Sequence, residues 1–276
     1  MVPPADVIRS RANPLVKRLR ALKEQGEREV VLIEGPKLLE EAALSRVHVL
    51  EVAASPRIER SARGHRLVRE LAAAGTPIHW VHEDVLAALS DAEVSQGVLA
   101  LARRPAFPEA DLFRGTALLV VAAGIQNPGN LGGLLRTAEA AGASGAVLTE
   151  GTVDPFSWKA LRGSMGSAFR LPHVSGVSLR SFVRLAKTRG VRVAATDPEA
   201  PLPYYEADLR HPVAFLFGNE GSGLPGEILR GADLRLRIPM ASPVDSLNVG
   251  VAGGILLFEA ARQRRSAAPR EGTASS

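Results

Sequence analysis

The run Leu118-Leu-Val-Val-Ala-Ala123 contains no polar residue and no alternation, so it reads as a buried strand rather than a half-exposed one. Val213 to Phe217 is a second run of this kind and the most hydrophobic of the strand-like segments. Ala146 to Thr149 and Val191 to Thr196 read as further strands. In Leu234 to Ile238, Arg235 and Arg237 alternate with apolar residues, as in an edge or half-exposed strand. Between and after these runs, helical spacing predicts a helix over about Leu131 to Ala141, with Asn130 as its N-cap, and a last helix over about Leu247 to Gln263. Strands alternating with helices predict an α/β layered fold.

The first half alternates in the same way. Asn13-Pro14 opens a basic helix with the apolar stripe Leu15, Leu19 and Leu22. Val30 to Ile33 suggests a strand, Pro36 to Leu44 a helix, and Val47 to Val52 a strand. Leu67 to Ala74 reads as helical, Pro77 to Val81 as extended, Asp84 to Leu89 as helical and Gly97 to Ala102 as extended. Together they predict a small α/β domain. Arg103 to Asp111 carries two prolines and few periodic apolar residues, which reads as a linker.

Composition narrows the chemistry. The 276 residues include no cysteine, which excludes disulfides, thiolate metal sites and thiolate nucleophiles. The six histidines form no trusted ligand pair, and no metal is expected. A net charge of +5 favours a polyanionic partner. The apolar runs are too short to span a bilayer, which takes roughly 20 residues, so no membrane association is expected. No charged and then apolar leader opens the chain, and a cytoplasmic location is the expectation.

Three loops of the second half set glycine, carboxamide and charged residues at strand ends, where open α/β sheets bind ligands. The first, Gly124 to Gly133, leads to Arg136, a permanent cation one turn into the following helix. Its glycine spacing is not the dinucleotide-binding fingerprint, which disfavours a nicotinamide enzyme. The second, Gly218-Asn-Glu220-Gly-Ser-Gly223, places three glycines in six residues, as close approach to a planar ligand demands. The third runs from Ile238 through Ser246, Leu247 and Asn248 into a helix rich in small residues.

In this order the loops closely resemble the three motifs of the SpoU/TrmH branch of the SPOUT RNA methyltransferases, over roughly Leu118 to Arg264. Asn130 and Arg136 match the first motif, Glu220 the second, and Ser246 and Asn248 the third, while Asn127 stands where relatives often carry Asp. Arg162 to Pro172 resembles a stretch found between the first and second motifs. Asn13 to Lys17 and Glu34 to Lys37 more loosely match a substrate-binding domain placed before many such enzymes.

The resemblance implies an N-terminal α/β domain (L30e-like), followed by a C-terminal SPOUT α/β domain with a trefoil knot. The implied division is 1–104 for RNA binding, 105–115 as linker, 116–264 for methyl transfer and 265–276 as a disordered tail. It also implies a homodimer and S-adenosylmethionine as cofactor, held by Gly218, Ile238 and Leu247. The implied reaction methylates a ribose 2′-hydroxyl, with ribosomal RNA as first choice of substrate and transfer RNA as second. Arg136 is the expected catalytic residue, as an electrostatic stabiliser or, alternatively, a deprotonated base. Asn130, Glu220, Ser246 and Asn248 are expected to complete the site. The alternatives are a catalytically silent RNA-binding assembly factor and a resistance-type methyltransferase of the same fold.

Overall fold

A computed structural model describes residues 7–90 and 95–267, which form two compact units. The first unit takes the chain up to Ala106 together with Phe156–Phe169. The second takes Phe107–Pro155 and the chain from Arg170 onward.

In the first unit, helix α1 (Pro14–Gln25) starts where Asn13 accepts a hydrogen bond from the Leu15 N–H at 2.9 Å, with Pro14 in the first turn. It buries Val16, Leu19 and Leu22, a stripe shifted by one residue from the expected Leu15. The unit continues through β1 (Val30–Glu34), α2 (Pro36–Leu44), β2 (Val49–Ala54), α3 (Ala62–Ala73), β3 (Ile78–Trp80), α4 (Glu83–Ala87) and β4 (Val98–Arg103). The strands line up as β1-β4-β2-β3. β4 is antiparallel to both neighbours, and β2 is parallel to β3. Helix α3 begins five residues before the expected Leu67, because Ser61 caps it by accepting from the Gly64 N–H at 3.0 Å.

The second unit holds β5 (Leu118–Ala122), α5 (Pro128–Ala140) and β6 (Gly145–Thr149). The short helices α6 (Trp158–Ser164) and α7 (Ser167–Arg170) follow in the chain, with α6 wholly within the first unit. Then come β7 (His173–Val177), α8 (Leu179–Thr188), β8 (Arg192–Thr196), β9 (Leu202–Pro203), β10 (Val213–Phe217), α9 (Gly226–Gly231), β11 (Leu234–Arg237) and α10 (Val249–Ala267). All seven strands are parallel, in the order β7-β6-β5-β10-β8-β11-β9. β5 and β10 are adjacent at the centre and wholly buried, as their unbroken apolar runs demand. From β5 the chain first works outward through β6 and β7, then returns to build the other side. The crevice beyond the carboxyl ends of the central strands is therefore a topological switch point, where such sheets bind ligands.

Three boundaries differ from expectation. The supposed linker contributes Leu112, 1% exposed, to the core of the second unit. The expected continuous stretch 116–264 is interrupted, because Phe156–Phe169 carries its own apolar surface into the first unit. There the Phe156 and Phe169 rings stack with centroids 6.2 Å apart, Trp158 packs on the first core, and the Lys23 ammonium lies 5.8 Å over the Trp158 ring. The last helix does not stop at Gln263 but continues to Ala267, and 268–276 of the expected tail lie outside the described residues. Arg264 fastens that helix by donating to the backbone carbonyls of Thr116, Ala117, Leu209 and His211. Among the described residues no helix is long and apolar enough to cross a membrane.

Candidate active site

Asn127, rather than Asn130, caps α5. Its Oδ1 accepts from the N–H groups of Gly129 and Asn130 at 2.9 and 3.1 Å, and Pro128 occupies the first turn. The same Asn-Pro pair opens α1, and that signal places the helix start three residues earlier than expected. Relieved of capping, the Asn130 side chain reaches across to the second loop.

That reach creates a network. Asn130 Nδ2 donates to Glu220 Oε1 at 3.0 Å, and Asn130 Oδ1 accepts from Asn248 Nδ2 at 2.7 Å. Glu220 also accepts from the backbone N–H groups of Gln126 and Asn127 at 3.3 and 3.2 Å. Partial burial pushes the Glu220 carboxyl up, but the donors from Asn130, its own backbone, Gln126 and Asn127 together outweigh it and hold the group below the usual carboxylate range. One residue from each of the three loops is thus joined in a single chain of hydrogen bonds. Asn248 also caps α10, accepting from the Gly250 N–H at 2.9 Å, which is why that helix starts at Val249 rather than Leu247.

The second loop contains a residue that motif reading missed. Asn219 Nδ2 donates to the Gly124 carbonyl at 2.8 Å, while its Oδ1 accepts from the N–H groups of Gly221 and Ser222. It therefore folds its own loop and ties it to the first. Gly218 has a different reason for being glycine than room for a ligand. A Cβ there would sit 2.3 Å from the Gly223 carbonyl carbon, so the loop's own backbone excludes a side chain.

Beside the network is a cavity of about 480 Å³. Gly218, Ile238, Leu247 and Ser246 line it, with Asn130, Glu220 and Asn248, so seven of the eight expected site residues meet here. Its apolar wall includes Phe217, Leu236 and Leu256. Asp197, at the carboxyl end of β8, also lines it and carries no sequence signal beyond following a strand. Among the described lining residues there is no lysine, arginine or histidine. An apolar cavity with a few convergent polar groups and two carboxylates suits a flat, neutral or cationic organic ligand.

Arg136 is the exception. It is exposed on α5, does not line the cavity, and among the described residues makes no hydrogen bond or ion pair. Six residues beyond Asn130, it lies about a third of a turn round the helix from it. The neighbouring α10 packs closely on α5: a Cβ at Gly253 would come 2.4 Å from Leu134 Cδ1. α10 leaves Val251 and Phe258 about half exposed, with Ile255 partly buried between them.

Comparison with known proteins agrees with this arrangement. Residues 117–258 match the SpoU rRNA Methylase family, and residues 13–100 match the MRM3-like substrate binding domain. The 23S rRNA (guanosine(2553)-2'-O)-methyltransferase RlmP of Bacillus subtilis is 35% identical over 242 residues, covering 88% of this chain and 92% of that one. The 23S rRNA (guanosine-2'-O-)-methyltransferase RlmB of Bordetella pertussis is 32% identical, covering 75% and 88%. The crystal structure of AdoMet-bound rRNA methyltransferase from Sinorhizobium meliloti superposes with a TM-score of 0.81 at 34% identity, covering 96% of this chain and 99% of that one. With three motif loops converging on one crevice and likeness extending through both units, the chain belongs to the SpoU rRNA methylase family.

Proposed function

We propose that this protein transfers a methyl group from S-adenosylmethionine to a ribose 2′-hydroxyl of ribosomal RNA. The observation that carries the reading is the Asn248–Asn130–Glu220 network beside the cavity lined by Gly218, Ile238 and Leu247. Relatives named as 23S rRNA 2′-O-methyltransferases, and the cofactor named in the Sinorhizobium structure, support the same substrate and donor.

S-adenosylmethionine supplies an electrophilic methyl carbon on a positively charged sulfur. The cavity's lining fits such a cation, since it offers Glu220, whose partners are neutral N–H donors, and no basic side chain among the described lining residues. Asn130, held by Glu220 and Asn248, fixes the distance between the first and third loops and presents a rigid polar edge to the ribose. Arg136 supplies the positive charge that stabilises the hydroxyl oxygen as it loses its proton to solvent water and attacks. A guanidinium remains protonated, so electrostatic stabilisation is favoured over simple base catalysis.

Because Arg136 does not line its own chain's cavity, the reading includes a homodimer. The Val251, Ile255 and Phe258 stripe, beside the helix that bears Arg136, supports a second copy covering this face, with its Arg136 completing the site. The first unit would grip RNA; its match to a substrate-binding domain and the exposed Lys17 of α1 support this. Family membership supports a trefoil knot formed by the C-terminal segment, and an rRNA substrate supports a cytoplasmic location.

The test is transfer of a labelled methyl from S-adenosylmethionine to ribosomal RNA by the purified protein, followed by alkaline hydrolysis. A 2′-O-methyl group blocks cleavage at its own linkage, so label should emerge in an alkali-resistant dinucleotide. Label in a mononucleotide would place the methyl on a base and overturn the reading.

A further inference from the structure

The sheet order places β8 between β10 and β11, the two strands that lead into the second and third loops. The residue leaving the carboxyl end of β8 therefore enters the middle of the cavity wall. That residue is Asp197, with a side chain only 11% exposed. Its N–H donates to the Leu236 carbonyl at 3.0 Å. One carboxylate oxygen accepts from the Glu199 N–H at 3.0 Å and the other from the Arg235 guanidinium at 2.6 Å. Burial pushes this carboxyl up, but Arg235 and the Glu199 N–H together hold it below the usual carboxylate range.

Resting on the cofactor reading above, we propose that Asp197 selects the ribose of the nucleoside cofactor by accepting hydrogen bonds from its 2′- and 3′-hydroxyls. A carboxylate offers about four lone-pair sites, and among the described residues two are occupied, one on each oxygen. Two acceptor sites on one rigid group match a vicinal diol, which presents two donors side by side. Arg235 pairs with Asp197 through one carboxylate oxygen at 2.6 Å, which partly offsets its charge and leaves acceptor sites open. That combination suits neutral hydroxyl donors better than a sulfonium or ammonium, which would need the charge left unpaired. An adenine edge is a poorer partner, because it needs a donor as well as an acceptor and a carboxylate supplies only acceptors.

The other polar side chains of the wall are mostly committed. Thr196 Oγ1 donates to the Leu216 carbonyl, Asn219 folds its loop, and Asn130, Glu220 and Asn248 hold one another. Besides Ser246 and the acceptor side of the Thr196 hydroxyl, Asp197 is, among the described residues, the lining side chain with hydrogen-bonding capacity to spare outside that network, and it alone can accept two donors side by side on separate oxygens. Acidic residues near strand ends hold ribose hydroxyls in other parallel-sheet nucleoside sites, by the same chemistry.

The experiment is isothermal titration of the full-length protein with S-adenosylhomocysteine and its 2′-deoxy and 3′-deoxy analogues. Wild type should bind the parent compound and lose roughly 10- to 100-fold on removal of a hydroxyl, as expected for a bond to a charged acceptor. Asp197→Ala should weaken the parent by a similar factor and lose little more with the deoxy compounds, since the two changes remove the same contact. Asp197→Leu, similar in size and without an acceptor, gives the same ratio test if the alanine variant does not fold. Arg235→Gln, which keeps the carboxylate, should still discriminate against the deoxy compounds. Unchanged discrimination in both Asp197 variants would overturn the proposal while leaving the cofactor reading intact. So would an Asp197 variant that weakens S-adenosylmethionine but not S-adenosylhomocysteine, because charge would then be the feature recognised. Wild type that binds neither compound would overturn the cofactor reading itself, and this proposal with it.

Discussion

The first and second loops of the site are built differently from the third. Gly124–Asn130 and Gly218–Gly223 are laced together by the Asn219 side chain on Gly124, by Glu220 on two backbone N–H groups, and by Asn130 on Glu220. Residues 241–247 are all exposed and, among the described residues, contain one backbone hydrogen bond, from the Val244 N–H to the Ala241 carbonyl. Among the described residues the third loop is tied to the others by a side-chain hydrogen bond at its end, through Asn248 on Asn130. One half of the site is thus a platform shaped before any ligand arrives. The other half has little of its own to hold it, and ligand contacts must supply its order.

The largest effect is expected from a residue that belongs to neither half. Arg136→Ala should reduce single-turnover methyl transfer by about 10² to 10³-fold, as when one preorganised transition-state donor is removed, and leave cofactor affinity nearly unchanged. Parallel loss of cofactor binding would show that α5 serves the platform instead. Mixing Arg136→Ala with a variant defective in the cavity should restore part of the activity if the arginine acts across a dimer.

Next in size is the contrast in tolerance between the two halves. Gly218→Ala should cost about 1–3 kcal/mol without ligand, because the added Cβ meets the Gly223 backbone. Val244→Ala, in the exposed third loop, should stay within about 0.5 kcal/mol. Thermal unfolding of the two variants in the absence of cofactor decides this; equal losses would erase the distinction. Weak cofactor binding by a Gly218 variant therefore reports a damaged loop and not a displaced ligand.

Hydrogen exchange should sharpen the same contrast. Amides of 241–247 should exchange nearly unprotected without cofactor and slow by up to roughly 100-fold at a hundred times the dissociation constant. Those of Gln126, Asn127, Gly221 and Ser222 should change much less. A third loop that is fully protected without ligand would refute the division into platform and ordered partner.

The smallest effect is on pH dependence. The Glu220 carboxyl titrates lower in the folded protein than when unfolded, so its contribution is present above the unfolded value of about 4.3 and is lost as pH falls through the folded value. Glu220→Gln should therefore unfold at a lower temperature than wild type near pH 7. The gap should close as the solution is acidified below about pH 4. A gap independent of pH would mean that shape rather than charge holds the first two loops.

Much of this was legible in the residues. The apolar runs of β5 and β10 announced buried central strands, and the loop motifs announced Gly218, Glu220, Ile238, Ser246, Leu247 and Asn248 as one site. The cap of α5 was placed on Asn130 because two asparagines, Asn127 and Asn130, compete within four residues, and only the Asn-Pro pair separates them. Asp197 gave no signal, since its importance depends on strand order: β8 neighbours β10 in space but precedes it by some 20 residues in the chain. Arg136 was correctly placed on the first-motif helix, but the side of the helix it occupies decides whether one chain suffices. Periodicity cannot show which side faces the cavity.

The interrupted division of the chain bears on how the protein is made. The first unit is left unfinished when Ala106 leaves the ribosome, because Phe156–Phe169 has yet to be synthesised. At about 5–20 residues per second, the 63 residues from Phe107 to Phe169 take roughly 3 to 13 seconds. Throughout that interval the surface that later receives Trp158 and Phe156 stays uncovered, while β5, α5 and β6 are already available to begin the second sheet. The two units therefore mature together rather than one after the other, and a chain started at residue 112 would carry an apolar segment with nothing to cover it.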